Sequence, residues 1–334
     1  MSDVRATLPV HPLDLEPFRL GDEADRAAVA AQLDDACRDS GFLLVTGHGV
    51  PVEVCDAVLD AFAAFFARPL DEKLRYVVTD DEANRGYSAL GKEGLAYSRG
   101  DLTPPDLFEA FNIGSDDTTG AYYDEWRSFF ARNTWPDAPA DLREVWMAYE
   151  RSVRAVADAL LRAMAMALDL DEQWFVERCR HAIITTRAIN YQRAPGTPEP
   201  EPDQMRMGAH TDYGVLTVLL ADDQPGLQVF RHERWHDVAI PHGTFVCNIG
   251  DMLERWTNDR WTSTLHRVVP EAAHRRALAR FLDCPPDLVV ETIPTCITAD
   301  RPARYEPVNA GAWLRAKVMG GRAREVPDLG EASA

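Results

Sequence analysis

The sequence predicts an α+β fold in which helices come first and a β-sandwich or barrel follows. Three observations carry this expectation. Apolar residues recur at helical spacing over about 22–40, 52–67 and 139–168. From about residue 182 the texture changes to short runs rich in β-branched and aromatic residues. Turn-forming clusters separate those runs at the intervals expected of a sandwich or barrel.

The elements follow in order. Ala, Val and Leu at helical spacing over 22–40 predict a first helix with Asp22 as its cap. Gly41-Phe42-Leu43-Leu44-Val45 reads as a short buried strand, closed by Gly47-His48-Gly49. A helix over 52–67 carries Val54, Val58, Phe62 and Phe65 on one face. Residues 80–105, rich in Gly, Asp, Ser and Pro, read as a long loop of the kind that is often functional. Val145, Tyr149, Val153, Val156, Leu160 and Met164 place a long helix over 139–168. Strands are then expected at Ile183–Tyr191, Val215–Leu220, Leu227–Phe230, Thr244–Ile249, Leu265–Val269, Ala277–Leu282 and Leu288–Glu291. Pro195-Gly196, Pro225-Gly226, His242-Gly243 and Pro285-Pro286 are among the turns between them.

Composition narrows the function classes. The chain of 334 residues is 46% hydrophobic and 27% charged, close to soluble globular averages, with eight Trp and thirteen Phe to anchor a core. No apolar run approaches the roughly 18 residues that span a bilayer. The Met1–Arg5 start has no apolar h-region, so a cytoplasmic protein is expected. The formal net charge is −19, from 54 acidic against 35 basic residues. Such a surface repels phosphate backbones and anionic lipids and disfavours nucleic-acid and membrane partners. A small-molecule substrate and a monomer are expected. The six cysteines are widely spaced without a CxxC pair, which suggests buried, reduced thiols.

The densest chemistry is Gly208-Ala209-His210-Thr211-Asp212-Tyr213-Gly214. On an extended strand, residues two apart share a face, so His210 and Asp212 can meet one ion. His266, opening Leu265–Val269, is the best third ligand. Two histidines and a carboxylate on one face of an octahedron leave three positions open, as a non-haem Fe(II) oxygenase requires for co-substrate and dioxygen.

The flanking sequence is more specific than HxD alone. GAHTDYGVLTVLL (208–220) is followed by PGLQV (225–229), NIGDMLERWTN (248–258) and STLHRV (263–268). GFLLVTGHGVP (41–51), Arg85-Gly86-Tyr87 and Glu109–Gly114 add to the pattern. Over roughly 8–290 the chain resembles the isopenicillin N synthase-like family of 2-oxoglutarate/Fe(II)-dependent dioxygenases. The resemblance implies a double-stranded β-helix, or jelly-roll, core with helices packed outside it. It assigns iron to His210, Asp212 and His266, with Fe(II), 2-oxoglutarate and O2 as cofactors. It divides one integrated fold into an N-terminal region (1–130), a connecting helix (131–180), the core (181–292) and a C-terminal segment (293–334) that would serve as a substrate lid.

The far carboxylate of 2-oxoglutarate needs a cation, and the planar fork of arginine suits it. The family places an Arg-x-Ser motif in this region, and Pro285-Pro286 sets a register in which the arginine is Arg276 and the serine position is Leu278. Arg275 and Arg280 lie close by, and the sequence does not settle which arginine points inward. Leu278 leaves three readings: another hydroxyl compensates, 2-oxoglutarate binds more weakly, or Arg276 grips the main substrate, as in an oxidase that uses no 2-oxo acid. Asn190-Tyr191-Gln192 resembles the family's Asn-Tyr-Tyr stretch, so Asn190 and Tyr191 join Arg276 as candidate co-substrate contacts. Substrate contacts are expected from residues 84–111, Thr185–Asn190 and the segment around Trp313, with Arg85, Tyr87, Phe108, Arg187 and Phe281 as candidates.

His232-Glu233-Arg234-Trp235-His236 is literally HExxH, a zinc-protease signature, and His242 falls at third-ligand spacing. The motif works only on a helix, whereas Val, Ile and Trp here favour a strand. A metalloprotease and a non-catalytic jelly-roll binding module are therefore the alternatives outside this chemistry. The expected activity is coupling of 2-oxoglutarate decarboxylation to hydroxylation, desaturation or cyclisation of a small metabolite.

Overall fold

The structure, a computed structural model, describes residues 10–78, 84–96, 103–115, 118–191, 200–270 and 274–322, with side chains described as far as 318. Strand β1 (His11–Asp14) pairs in parallel with β2 (Phe42–Thr46), and α1 (Glu16–Leu20) and α2 (Glu23–Asp39) connect them. Asp22 caps α2 as its sequence suggested. Its carboxylate accepts from the Asp25 amide at 3.0 Å, and the Asp25 carboxylate accepts from the Asp22 amide at 3.2 Å. Gly41 turns the chain into β2 with φ +66°, and a Cβ there would lie 2.0 Å from the Thr262 carbonyl oxygen. Glycine is required at that crossing.

Helix α3 (Val52–Phe66) buries Val58, Phe62, Phe65 and Phe66, and α4 (Leu70–Leu74) follows it. Strands β3 (Gly86–Ser88) and β4 (Glu109–Gly114) come next, then α5 (Ala121–Glu125) and α6 (Leu142–Ala167). Helix α6 buries Trp146, Tyr149, Val153, Val156, Leu160 and Met164, the apolar stripe its periodicity announced. After α7 (Trp174–Arg178) the chain is mostly strand: β5 (Ile184–Asn190), β6 (Met207–His210), β7 (Leu216–Ala221), β8 (Leu227–Arg231), β9 (Arg234–Asp237) and β10 (Phe245–Ile249). Helix α8 (Asp251–Trp256), β11 (His266–Val268), β12 (Arg276–Leu282), β13 (Val289–Val290), β14 (Val308–Asn309) and α9 (Ala310–Arg322) complete it. None of the described helices is long and apolar enough to cross a membrane.

Two sheets form the core of this α+β jelly roll. The larger runs β1-β2-β10-β7-β12-β5-β4-β3, and the smaller β6-β11-β8-β9. The plan of helices first and strands later is too simple, because four of the eight strands in the larger sheet come from residues 11–114. Part of the expected 80–105 loop is strand β3; residues 80–83 and 97–102 of it lie outside the described residues.

The larger sheet is buried on both faces, which explains why its strands read as near-continuous apolar runs. On one face Leu43, Val45, Val218, Leu220, Cys247, Leu278 and Leu282 meet the apolar stripes of α3 and α6. On the other, Phe42, Val246, Ala277 and Ala279 face Leu227, Val229 and Val268 of the smaller sheet. All six cysteines are buried and free.

HExxH has no helix. His232 (φ +49°) and Glu233 (φ +61°) form the two-residue turn of the β8–β9 hairpin, the geometry of a type I′ turn. His236 lies 3.2 Å from the Arg231 carbonyl oxygen, and His242 lies 2.7 Å from an Asp56 carboxylate oxygen.

Arg280 of β12 crosses to the helical layer, where its guanidinium donates to Glu150 of α6 at 3.0 and 3.1 Å and its side chain is 3% exposed. Removing one partner of a buried ion pair strands the other charge away from water. Glu150→Ala should lower the unfolding free energy by about 3 kcal/mol in urea denaturation. An unchanged denaturation midpoint would contradict this role for the pair.

Candidate metal centre

The smaller sheet builds the site. Antiparallel pairing of β6 with β11 sets His210 directly opposite His266, with ring centroids 4.2 Å apart. Phe42 presses its edge on the His266 ring at 5.4 Å. Asp212 was expected on the same strand as His210. Instead β6 ends at His210, and Asp212 enters from the loop that leads to β7. That loop is held by the Asp251 amide of α8, which donates to the Asp212 carbonyl at 2.8 Å. Gly250 makes this approach possible, since a Cβ there would lie 2.5 Å from the Gly214 carbonyl oxygen.

The side chains are oriented for ligation. Nδ1 of His210 lies 2.8 Å from the Gly208 carbonyl oxygen, and Nδ1 of His266 lies 3.2 Å from that of Thr264. A carbonyl only accepts, so each Nδ1 carries the proton and each Nε2 presents its lone pair to the centre. Both Nε2 atoms face Asp212 Oδ1, at 3.9 Å from His210 and 3.8 Å from His266. Asp212 Oδ2 is already engaged, accepting from Thr217 Oγ1 and Asn248 Nδ2, each at 2.6 Å. One oxygen is left for a metal, and the three ligand atoms lie within 4.8 Å of one another. Burial, with repulsion from His266 whenever that ring is also protonated, lowers His210 to about 4. Burial alone would raise the Asp212 carboxyl; the two histidines and the bonds from Thr217 and Asn248 outweigh it and hold Asp212 below its ordinary value. The cluster thus favours a metal-ready form, with His210 neutral and Asp212 ionised.

A cavity of about 360 Å³ opens from this cluster. Its inner end, within the sandwich, is lined by Tyr191, Met207, Leu227, Val268 and Arg275. Strand parity decides which arginine enters. Arg275 is 1% exposed, donates to the Gln224 carbonyl at 2.7 Å and lies 5.9 Å from the Tyr191 ring centre. Arg276 leaves on the opposite face, 3.0 Å from Asp60 and 3.5 Å from Asp222, and does not line the cavity. The expectation that Arg276 faces the cavity is therefore corrected: Arg275 lines it instead, and the residue two further on is Ala277, not Leu278. Leu278 belongs to the core under the helices.

The other expected contacts divide by the same parity. Tyr191 lines the cavity, but Asn190 points to the helical side and donates to Glu109 at 2.9 Å. Tyr87 joins Asn190 there, its hydroxyl donating to Glu109 at 2.5 Å, and it too does not line the cavity. Phe108 stands behind the wall, supporting the Arg187 guanidinium at 4.9 Å from its ring centre. Arg187 and Phe281 line the cavity, and Arg187 pairs with Glu93 at 2.5 Å. Arg85 also lines it, but its guanidinium is committed to the carbonyls of Asn84, Phe129 and Ala131 at 3.0–3.1 Å. Gln192 lies outside the described residues.

Sequence reasoning did not single out Thr217 and Asn248, the partners of Asp212, although Asn248 heads the quoted NIGD run. Asp106 was also missed. Its carboxylate accepts from the Leu95 and Gly208 amides, each at 2.9 Å, and so ties the outer wall to the strand of His210. Asp283 lines the cavity, and burial, with the Asp212 charge, pushes its carboxyl up to about 7. Leu314, Arg315 and Val318 of α9 form part of the wall, while Trp313 donates its indole N–H to the Tyr213 carbonyl at 3.2 Å.

Known proteins place this geometry in a family. Residues 9–138 match the family described as non-haem dioxygenase in morphine synthesis N-terminal, and residues 183–283 match the 2OG-Fe(II) oxygenase superfamily. The 2-oxoglutarate-Fe(II) type oxidoreductase hxnY of Emericella nidulans is 34% identical, covering 91% of this chain and 87% of its own. Homoarginine-6-hydroxylase 2-ODD-233 of Oryza sativa subsp. japonica is 33% identical, over 91% of this chain and 92% of its own. The full-length Neurospora crassa T7H, solved in complex with alpha-KG, superposes with a TM-score of 0.80 at 29% identity, covering 93% of this chain and 96% of that one. The chain belongs to the 2OG-Fe(II) oxygenase superfamily and is a 2-oxoglutarate-dependent dioxygenase whose cofactors are iron(II), 2-oxoglutarate and dioxygen.

Proposed function

We propose that His210, Asp212 and His266 hold the iron, that Arg275 receives the far carboxylate of 2-oxoglutarate, and that the outer part of the cavity binds a small metabolite for hydroxylation. One observation carries the reading: both Nε2 lone pairs and the free Oδ1 of Asp212 converge, with every other polar atom of the three side chains engaged elsewhere. Two imidazole nitrogens and one carboxylate oxygen are a donor set suited to iron(II), and they leave room for co-substrate and dioxygen. Iron bound there supplies the dioxygen activation that is coupled to decarboxylation of the 2-oxo acid.

The chain's own residues do the positioning. Thr217 and Asn248 keep Asp212 monodentate by occupying Oδ2. The Gly208 and Thr264 carbonyls fix the imidazole tautomers. Arg275 sits among apolar side chains at the inner end, where a carboxylate finds little competing water. Arg187, Phe281 and the α9 side chains border the outer space, and α9 acts as its lid. Hydroxylation is favoured because relatives of this length and identity include a homoarginine-6-hydroxylase. The oxidase alternative drew its support from Leu278, which faces the helices instead of the cavity.

Two measurements test this. Anaerobic addition of Fe(II) and 2-oxoglutarate should give a charge-transfer band at about 500 nm. His210→Ala should abolish it, and a band that survives that substitution would contradict the ligand assignment. Arg275→Ala should weaken 2-oxoglutarate binding about 10- to 100-fold, the loss expected for charge-assisted hydrogen bonds. Arg276→Ala should leave it within about twofold of the parent, as expected away from the site. The opposite ranking would restore Arg276 to the role.

A further inference from the structure

The charged side chains lining the cavity are accounted for, with one exception. Arg187 is paired with Glu93, Arg85 donates to three carbonyls, and Arg315 reaches Ser128. Asp212 and Arg275 are assigned to iron and 2-oxoglutarate, and Lys92 is exposed at the rim. Asp283 is left. It directly follows β12, on the parity that turns Arg275, Ala279 and Phe281 toward the cavity, and its side chain lines that cavity. Its carboxylate is seated over the Gly214 backbone, where a Cβ would lie 2.2 Å from Asp283 Oδ1. That position is two residues beyond Asp212. Among the described residues, no donor or cation engages the Asp283 carboxylate.

We propose that Asp283 selects the substrate by pairing with a guanidinium carried by a small metabolite. This rests on reading the outer cavity as the substrate pocket. Asp283 is half-buried, and its carboxylate lines the cavity without a counter-charge from any described residue, so a cationic group entering there gains a charge-assisted partner. A planar guanidinium can meet both Asp283 oxygens with two parallel hydrogen bonds. A neutral alcohol or amide offers donors but leaves the charge uncompensated. A cavity of about 360 Å³ is of the size that takes a small metabolite.

The test compares probes that differ only in charge. Homoarginine is set against its ureido isostere homocitrulline, and agmatine against N-carbamoylputrescine. Binding is measured by calorimetry, under anaerobic conditions, to full-length protein loaded with Fe(II) and 2-oxoglutarate, after loading is verified by the band at about 500 nm. In at least one pair the cation should bind about 30-fold more tightly, the scale of losing one partner of a buried charge pair. Asp283→Asn should collapse that preference to within about threefold while the band persists. Asp283→Glu, which keeps the charge, should retain a preference for the cation. Equal affinities within both pairs, failure of all four probes to bind, or a preference that survives in Asp283→Asn would each overturn the assignment. A band that never forms before any probe is added would contradict the metal reading instead.

Discussion

The antiparallel pairing of β6 with β11 is the constraint on which the site depends. It sets His210 opposite His266, while the Gly208 and Thr264 carbonyls fix the imidazoles so that both Nε2 atoms face inward. Because side chains alternate across a strand, a slip of one residue would send one imidazole to the other face of the sheet. The register is held by the pairing of β11 with β8 on its other side, and by the apolar contacts of Val229 and Val268 between the sheets. Asp212 depends on a separate support. Its backbone is clamped by the first turn of α8, and its spare oxygen is held by Thr217 and Asn248 of the larger sheet. The ligand set therefore joins both sheets, and the centre exists only when the sandwich is closed.

The same alternation sorts every charged residue on β5 and β12. One face of the larger sheet serves the helices and carries Arg276, Leu278, Arg280 and Asn190. The other serves the cavity and carries Thr185, Arg187, Arg275, Ala279 and Phe281. Fold and function are divided between the two faces. The helical side provides stability through apolar stripes and enclosed ion pairs, while the inner side stays small enough at Ala277 and Ala279 to leave space for ligands.

Sequence revealed what depends on local pattern. Helices α2, α3 and α6 were legible because their apolar stripes extend over several turns, and the capping Asp22 marked the start of α2. The ligand triad was legible because HxD is compact and its flanks are distinctive. Parity was not legible at Arg275-Arg276: in an arginine doublet, an error of one residue exchanges the cavity for the helical layer. The short strands β1, β3 and β4 escaped notice because strands of three to six residues owe their conformation to neighbours far along the chain. Thr217 and Asn248 escaped for a related reason, since a hydroxyl or amide within a strand shows its role only when a carboxylate stands opposite.

The central claim is that one centre, built from both sheets, holds the iron and sets the co-substrate against Arg275. Anomalous diffraction at the iron edge, from crystals grown anaerobically with Fe(II) and 2-oxoglutarate, tests it most directly. The account predicts a single strong peak bonded to His210 Nε2, Asp212 Oδ1 and His266 Nε2, with the far carboxylate of the 2-oxo acid on the Arg275 guanidinium. A peak elsewhere, or a carboxylate held by Arg276, would contradict it.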